Sequence, residues 1–286
     1  MGDEGLAVTA KLTAAGRAAE SRRADRLFED PLAAALAGEE GFALMKQWRL
    51  PGMSEEQATS TIGPRTRFYD DLVVKATADG IGQVVQVAAG MDTRAFRLPL
   101  PAEAIVFELD LPELLEEKQA TLEQEHAEPR CHRKVVPADL AEDDWPRALT
   151  AARFDSSAPA LFIAEGLSYY LTEDENGRLL DQLGSLAAPG SRLGIDIMNR
   201  DALESPAMAP FYEFTASLGI RWQFGTNDPA GFLAAHGWEA ELNTFEAVAK
   251  RLGRWPPPGV SDEEAARTVD SGRSYFISAE RAVPQT

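Results

Sequence analysis

The sequence predicts a doubly wound α/β fold: a mostly parallel, seven-stranded sheet with a helical extension at the N-terminus. Three observations predict it. The short, β-branched run Val84-Val85-Gln86-Val87-Ala88 stops at a turn centred on Gly90, as a buried parallel strand does where it enters a ligand loop. Twenty residues after Gly90, the apolar run Ala104-Ile105-Val106-Phe107 leads through Glu108-Leu109 to Asp110, so an acid stands at the tip of the second strand. From there to the C-terminus, strand-forming and helix-forming stretches alternate.

Taken in order, residues 5–38 are Ala-rich and helix-prone, with Thr9 or Thr13 as candidate caps and Asp30-Pro31 as an interruption. Residues 49–64 read as a loop, from Pro51-Gly52 through Ser54-Glu55-Glu56 to Gly63-Pro64. A helix follows from Arg65 to Ala78 and stops at Asp79-Gly80. Strands are expected at 83–88, 104–109, 134–136, 160–164, 192–198, 238–243 and 273–279. Between them lie helices from Pro112 to Glu125, over 144–152, over 173–187 and over 228–236. The third of these opens with Thr172 and Glu175 spaced as a capping box. Residues 199–226 form a polar and aromatic insertion carrying Phe211, Tyr212, Phe214, Trp222 and Phe224, which topology places over the ligand edge. Arg254-Trp255-Pro256-Pro257-Pro258 reads as a loop. No internal repeat or low-complexity linker divides the chain, so 1–286 is expected to be one domain, with 1–80 as a helical extension or lid and 81–286 as the Rossmann-like core.

Composition narrows the function. A net charge of −18 disfavours nonspecific nucleic-acid binding. The single cysteine, Cys131, excludes an internal disulfide, and His126, His132 and His236 are scattered, so no metal site is expected. There is neither a membrane-spanning apolar run nor a secretory start, which points to a cytoplasmic protein without a membrane partner. Within this acidic chain, Lys11, Arg17, Arg22, Arg23 and Arg26 cluster near the N-terminus. They fit a solvated helix face paired with Glu20 and Asp25, or a lid whose cations meet an anionic substrate.

The Gly90 turn alone leaves NAD, FAD and S-adenosylmethionine open. A dinucleotide fingerprint needs further glycines so that a helix N-terminus can approach a pyrophosphate. Here Met91, Asp92, Thr93 and Arg94 follow instead. A ligand without phosphates does not need those glycines, which favours S-adenosylmethionine over a nicotinamide dinucleotide. Four carboxylates, Asp92, Asp110, Asp139 and Glu165, fall at or just after strand ends and can face one crevice. They suit ribose hydroxyls, an adenine amine and an ammonium, which are donors or cations. Arg65 can meet the ligand's carboxylate.

At this point the sequence resembles the leucine carboxyl methyltransferase family, in its bacterial branch. The resemblance rests on Pro64-Arg65-Thr66-Arg67-Phe68-Tyr69-Asp70-Asp71, Ala88-Ala89-Gly90-Met91-Asp92-Thr93-Arg94, Phe107-Glu108-Leu109-Asp110-Leu111-Pro112, Ala138-Asp139-Leu140 and Ile163-Ala164-Glu165-Gly166-Leu167-Ser168-Tyr169-Tyr170-Leu171. It implies a class I, Rossmann-like methyltransferase that uses S-adenosyl-L-methionine. It further implies Arg65 on the methionine carboxylate, backbone around Ala88 and Gly90 on the amino-acid portion, Asp110 on the ribose, Asp139 with Leu140 on the adenine, and Glu165 at the ammonium. The family often has Gly where this chain has Ala88; a methyl group is tolerable there if the local φ is negative.

A carboxylate acceptor is already ionised at neutral pH and needs no general base, whereas a hydroxyl needs one, commonly His. No His falls at the ligand ends of the strands, so the expected reaction is O-methylation of a carboxylate, or else of a hydroxyl served by a Tyr or an acid, on a small molecule or peptide. Arg17, Tyr169 and Tyr170 are the candidate acceptor contacts, and the aromatic insertion suits a flat or apolar acceptor. The catalytic residues and the oligomeric state stay open. A nicotinamide-dependent oxidoreductase and a non-catalytic S-adenosylmethionine-binding protein are the rival classes.

Overall fold

The computed structural model of the chain describes residues 3–48, 54, 57, 59–142, 144–257, 259–261, 263 and 274–282. The expected loop features Pro51-Gly52 and Glu55-Glu56, Asp143 just before the expected helix over 144–152, Pro258 and the first residue of the expected last strand, Arg273, lie outside the described residues. So does the side chain of Phe211.

Helices α1 (Asp3–Ser21), α2 (Ala33–Trp48, interrupted at Gly38) and α3 (Ile62–Ala78) precede the sheet. The sheet and its connections run β1 (Gln83–Val87), α4 (Arg94–Arg97), β2 (Ile105–Asp110), α5 (Pro112–Gln124), β3 (His132–Pro137), α6 (Trp145–Ala151) and β4 (Ala160–Ala164). They continue through a 3-10 turn at Ser168–Tyr170, α7 (Glu173–Leu186), β5 (Arg192–Met198), α8 (Arg200–Leu203), α9 (Ala209–Ser217), α10 (Pro229–Ala235), β6 (Trp238–Thr244), α11 (Phe245–Arg251) and β7 (Ser274–Arg281). The strand order is β3-β2-β1-β4-β5-β7-β6. The first five strands are parallel, and β7 runs antiparallel to both β5 and β6. Strand order therefore reverses between β1 and β4, which opens a crevice beyond their C-terminal ends.

Period-two alternation divides the core between two faces of the sheet. Val85, Val87, Phe107, Leu109 and Phe162 pack with Trp145, Leu149 and the α7 leucines on one face. Val84, Val106, Leu161 and Ile163 pack with Tyr69, Val73 and the N-terminal helices on the other. All five residues of β1 are buried, as its β-branched run predicts. The α7 cap forms as expected: the Glu175 amide donates to Thr172 Oγ1, and the Thr172 amide donates to Glu175 Oε2 at 2.7 Å.

One local expectation is corrected and two features are added. Thr9 and Thr13 do not cap α1, because the helix begins at Asp3; Thr13 instead donates back to the Thr9 carbonyl at 3.0 Å, the usual use of a hydroxyl inside a helix. A further helix, α11, occupies Phe245–Arg251, capped by Thr244. The insertion is largely helical, and its aromatics separate: Phe224 joins the main core against Phe232, while Trp222 packs on Tyr169.

Candidate active site

A cavity of about 290 Å³ occupies the β1–β4 crevice, at the small end of the range for small-molecule sites. All ten residues expected from the sequence to contact cofactor or acceptor line it: Arg17, Arg65, Ala88, Gly90, Asp110, Asp139, Leu140, Glu165, Tyr169 and Tyr170. The fourth strand-end acid, Asp92, lines it as well. Four successive acids meet there because a parallel sheet presents its C-terminal ends on one edge.

At the tip of β2, Asp110 is fixed by the backbone. Its Oδ2 accepts the Gly90 amide at 2.6 Å and its Oδ1 accepts the Leu111 amide at 2.8 Å. Burial raises its pKa, and these two amides oppose the rise. Each oxygen keeps a second lone pair for a ligand hydroxyl. Asp139 is exposed at the rim and accepts the Ala141 amide at 2.8 Å, with the half-buried Leu140 beside it.

The turn after β1 is where the structure departs from expectation. Ala88 has φ +58°, so the negative φ that would make its methyl group harmless is not what it adopts. A left-handed alanine costs about 1–2 kcal/mol. The conformation is held because Ala89 donates to Leu109 at 2.9 Å and Gly90, itself at φ +47°, donates to Asp110.

Arg65 and Glu165, expected to meet the carboxylate and the ammonium of one ligand, meet each other. Arg65 Nε donates to Glu165 Oε1 at 2.9 Å, and Arg94 Nη2 donates to Glu165 Oε2 at 2.7 Å. Burial works against the charge on Glu165, but Arg94 and Arg65 outweigh it and hold its pKa below the usual range. Burial and Arg94 act in the same way on Asp92, with Arg94 again prevailing. A cation and an anion side by side can receive a zwitterion, each taking the ligand group of opposite charge.

Arg94 was not among the expected site residues, yet it ties the charged end together. It is 2% exposed and pairs with Asp70 at 2.8 Å, with Asp92, and with Glu165. Arg97 grips the same Asp70 in a bidentate pair at 2.6 and 2.7 Å. Asp70 and Arg94 each stand in a motif read from the sequence, but both motifs carry other charges, so nothing local marks the two as partners. Arg17 reaches the cavity from α1, but its guanidinium is engaged by Asp30 at 2.8 Å and by the Met91 carbonyl. Lys11 pairs with Glu40 and Glu117, and Arg23 with Asp25, so those cations of the N-terminal cluster serve as helix and inter-element ion pairs.

The other end is aromatic. Tyr169 stacks on Trp222 with ring centroids 4.1 Å apart and meets Tyr170 edge-on at 4.8 Å. Gln223 straps both, its amide donating to the Tyr169 carbonyl at 2.6 Å and its side chain to the Tyr170 carbonyl at 2.8 Å. Arg65 Nη1 donates to Tyr169 Oη at 3.3 Å, which leaves the tyrosine hydrogen available to donate. Burial raises the pKa of both tyrosines. No histidine is among the described residues lining the cavity. His132 opens β3 at the far end of the sheet, and His236 follows α10 and pairs with Asp181 at 2.7 Å. Among the described residues there is no group of three or more metal-ligating side chains, and no helix is long and apolar enough to cross a membrane.

A doubly wound, mostly parallel seven-stranded sheet with a cavity at its switch point and an acid at the tip of β2 is a Rossmann-like architecture. Comparison with known proteins makes this specific. The family model described as leucine carboxyl methyltransferase matches residues 10–184. A relative from Streptomyces coelicolor, SCO7813, provisionally named an S-adenosyl-L-methionine-dependent methyltransferase, is 41% identical over 259 residues, covering 87% of this chain and 89% of its own. Rv3787c from Mycobacterium tuberculosis, named in the same way, is 36% identical over 260 residues, covering 82% and 84%. A DUF574 family protein from Streptomyces avermitilis superposes with a TM-score of 0.60 at 16% identity, covering 96% of this chain and 97% of that one, a likeness of fold. The chain belongs to the leucine carboxyl methyltransferase family, and it is an S-adenosylmethionine-dependent methyltransferase.

Proposed function

We propose that the protein is a carboxyl O-methyltransferase acting on a small-molecule or peptide acceptor in the cytoplasm, with S-adenosylmethionine held across the β1–β4 crevice. The observation that carries the acceptor class is the lining of the cavity: no imidazole among its described residues, and two tyrosines kept protonated by burial. Such a wall lacks the usual base for an alcohol, and it suits an oxygen nucleophile that arrives ionised.

The residues fit the cofactor. Asp110 offers its outer lone pairs to the ribose hydroxyls. Asp139 and Leu140 flank the adenine, the one by accepting from its amine and the other by apolar contact. Arg65 takes the carboxylate and Glu165 the ammonium of the amino-acid end, exchanging part of their mutual pairing for the ligand's charges. The backbone at Ala88 and Gly90 closes on the same end. When bound, S-adenosylmethionine supplies a sulfonium methyl group as the electrophile. Tyr169 and Tyr170 donate to the acceptor carboxylate and aim one of its oxygens along the line of transfer, where alignment accounts for much of the rate. An acceptor oxygen that arrives ionised would need no proton removed, so these residues would have to orient it and not to act as a base. Arg17, engaged by Asp30 and Met91, acts as a positioning residue that seats α1 on the Gly90 turn.

Calorimetric titration with S-adenosylmethionine, S-adenosylhomocysteine and NADH tests the cofactor placement. The expected result is tight binding of the first two alone, weakened on the order of 100-fold in Asp110→Ala, since charge-assisted hydrogen bonds contribute roughly 1.5–3 kcal/mol each. Asp110→Ala binding as tightly as wild type overturns the placement. Incubation with a panel of carboxylic acids and phenols tests the acceptor class: base-labile methyl esters support it, and methyl ethers alone overturn it.

A further inference from the structure

We propose that Asp196 is a positioning residue that sets Arg65 for the amino-acid end of the cofactor, an inference that rests on reading the crevice as the S-adenosylmethionine site. Asp196 sits in β5, behind the wall formed by Arg65, Gly166 and Tyr169. Its Oδ1 accepts the Gly166 amide at 2.7 Å, and its Oδ2 lies 3.7 Å from Arg65 Nη1. Its carbonyl accepts the Ser168 hydroxyl. One residue thus grips both the turn that carries Glu165 and Tyr169 and the guanidinium that faces them.

The space between these parts is closed. Gly166 has φ +72°, and a Cβ there would lie 3.3 Å from Tyr169 Oη and 3.6 Å from Arg65 Nη1. The Arg65 guanidinium therefore lies close against the Gly166 backbone, with the Asp196 carboxylate 3.7 Å from its Nη1. Two anions flank its guanidinium, Glu165 on the cavity side and Asp196 behind. When the ligand's ammonium draws on Glu165, Asp196 remains as the counter-charge that keeps Arg65 aimed at the ligand's carboxylate.

Packing alone gives no reason for a carboxylate here. Burial raises the Asp196 pKa to about 6, against the opposing pull of Arg65 and the Gly166 amide. The titratable groups facing it are Arg65 and Tyr69 from α3 and Glu165, Tyr169 and Tyr170 from the segment after β4. Its partner in β7, Phe276, is apolar. A carboxyl whose folded pKa is raised stabilises the fold at low pH and loses that contribution as pH rises through about 6. At neutral pH the ionised group is a cost to stability, which is what a group retained for binding shows.

Asp196→Asn keeps an oxygen for the Gly166 amide and removes the charge. The test compares S-adenosylhomocysteine with methylthioadenosine, which lacks the amino-acid end. At mildly alkaline pH the variant is expected to melt no lower than wild type, to bind S-adenosylhomocysteine roughly tenfold more weakly, and to bind methylthioadenosine unchanged. Equal weakening of both ligands, or undiminished S-adenosylhomocysteine affinity, overturns the proposal. Should the variant fail to fold, wild type supplies the same test: the ratio of the two affinities is expected to fall as pH drops through about 6, and a flat ratio overturns the proposal. Failure of wild type to bind S-adenosylhomocysteine at all would instead overturn the reading of the crevice.

Discussion

The two ends of the cavity are built on opposite principles. At one end Arg65, Arg94, Asp92 and Glu165 are paired with one another before any ligand arrives, and Arg97 and Asp70 extend the network behind them. At the other end Tyr169, Tyr170 and Trp222 form a wall of stacked rings without an ion pair of their own. The charged end suits a ligand whose charges are fixed, because each buried group already has a partner and no bare charge awaits. The aromatic end suits one whose shape varies, because rings and hydroxyls discriminate more by contact than by charge.

The difference can be broken most severely at Arg94. Arg94→Met leaves Asp70, Asp92 and Glu165 short of a buried counter-charge, and breaking such a network costs about 3–5 kcal/mol. Urea unfolding is expected to report a loss of that size; a loss no larger than that of a surface substitution would mean that the charged end is not cross-linked as described. The same end resists acid. Asp92 and Glu165 have lowered pKa values, so their contribution is present above the ordinary carboxylate range and is lost only as pH falls through and below it.

Tyr169→Phe and Tyr170→Phe sharpen the comparison at the aromatic end. Each removes one hydroxyl donor, about 1 kcal/mol, and should raise the acceptor KM several-fold; Tyr170→Phe should leave S-adenosylhomocysteine affinity unchanged, whereas Tyr169→Phe also takes away the oxygen that accepts from Arg65. Equal loss of cofactor affinity in Tyr170→Phe would show that the two ends are not separable.

The smallest effect belongs to the turn after β1. Ala88→Gly relieves a left-handed alanine worth about 1–2 kcal/mol and gives back about 0.4–1 kcal/mol in unfolded-chain entropy. A net stabilisation of about 0.5–1 kcal/mol is expected from thermal unfolding, and Ala88→Val should destabilise.

Much of this architecture was legible in the sequence. Gly90 and Asp110 announced the turn and the second strand tip because a ligand loop needs a residue free at positive φ and an acid in reach of a ribose. The four acids could be placed on one edge because parallel strands share a polarity. Less was legible where the partner lies far along the chain. Arg65 and Glu165 are 100 residues apart, and Arg17 and Met91 are 74 apart, so neither pairing leaves a local pattern. Trp222 and Phe224 read alike as insertion aromatics, yet one backs Tyr169 and the other enters the core.

The sequence by itself determined the class of sheet, the edge on which the site lies and the kinds of groups gathered there, because hydrophobic period, turn chemistry and strand-end residues are local properties. Only the tertiary structure decided which charges face a ligand and which are spent on each other. It alone revealed the left-handed Ala88 and placed Asp196 behind Arg65, since φ at a turn and the neighbours of a buried carboxylate are set by contacts between segments distant in the chain.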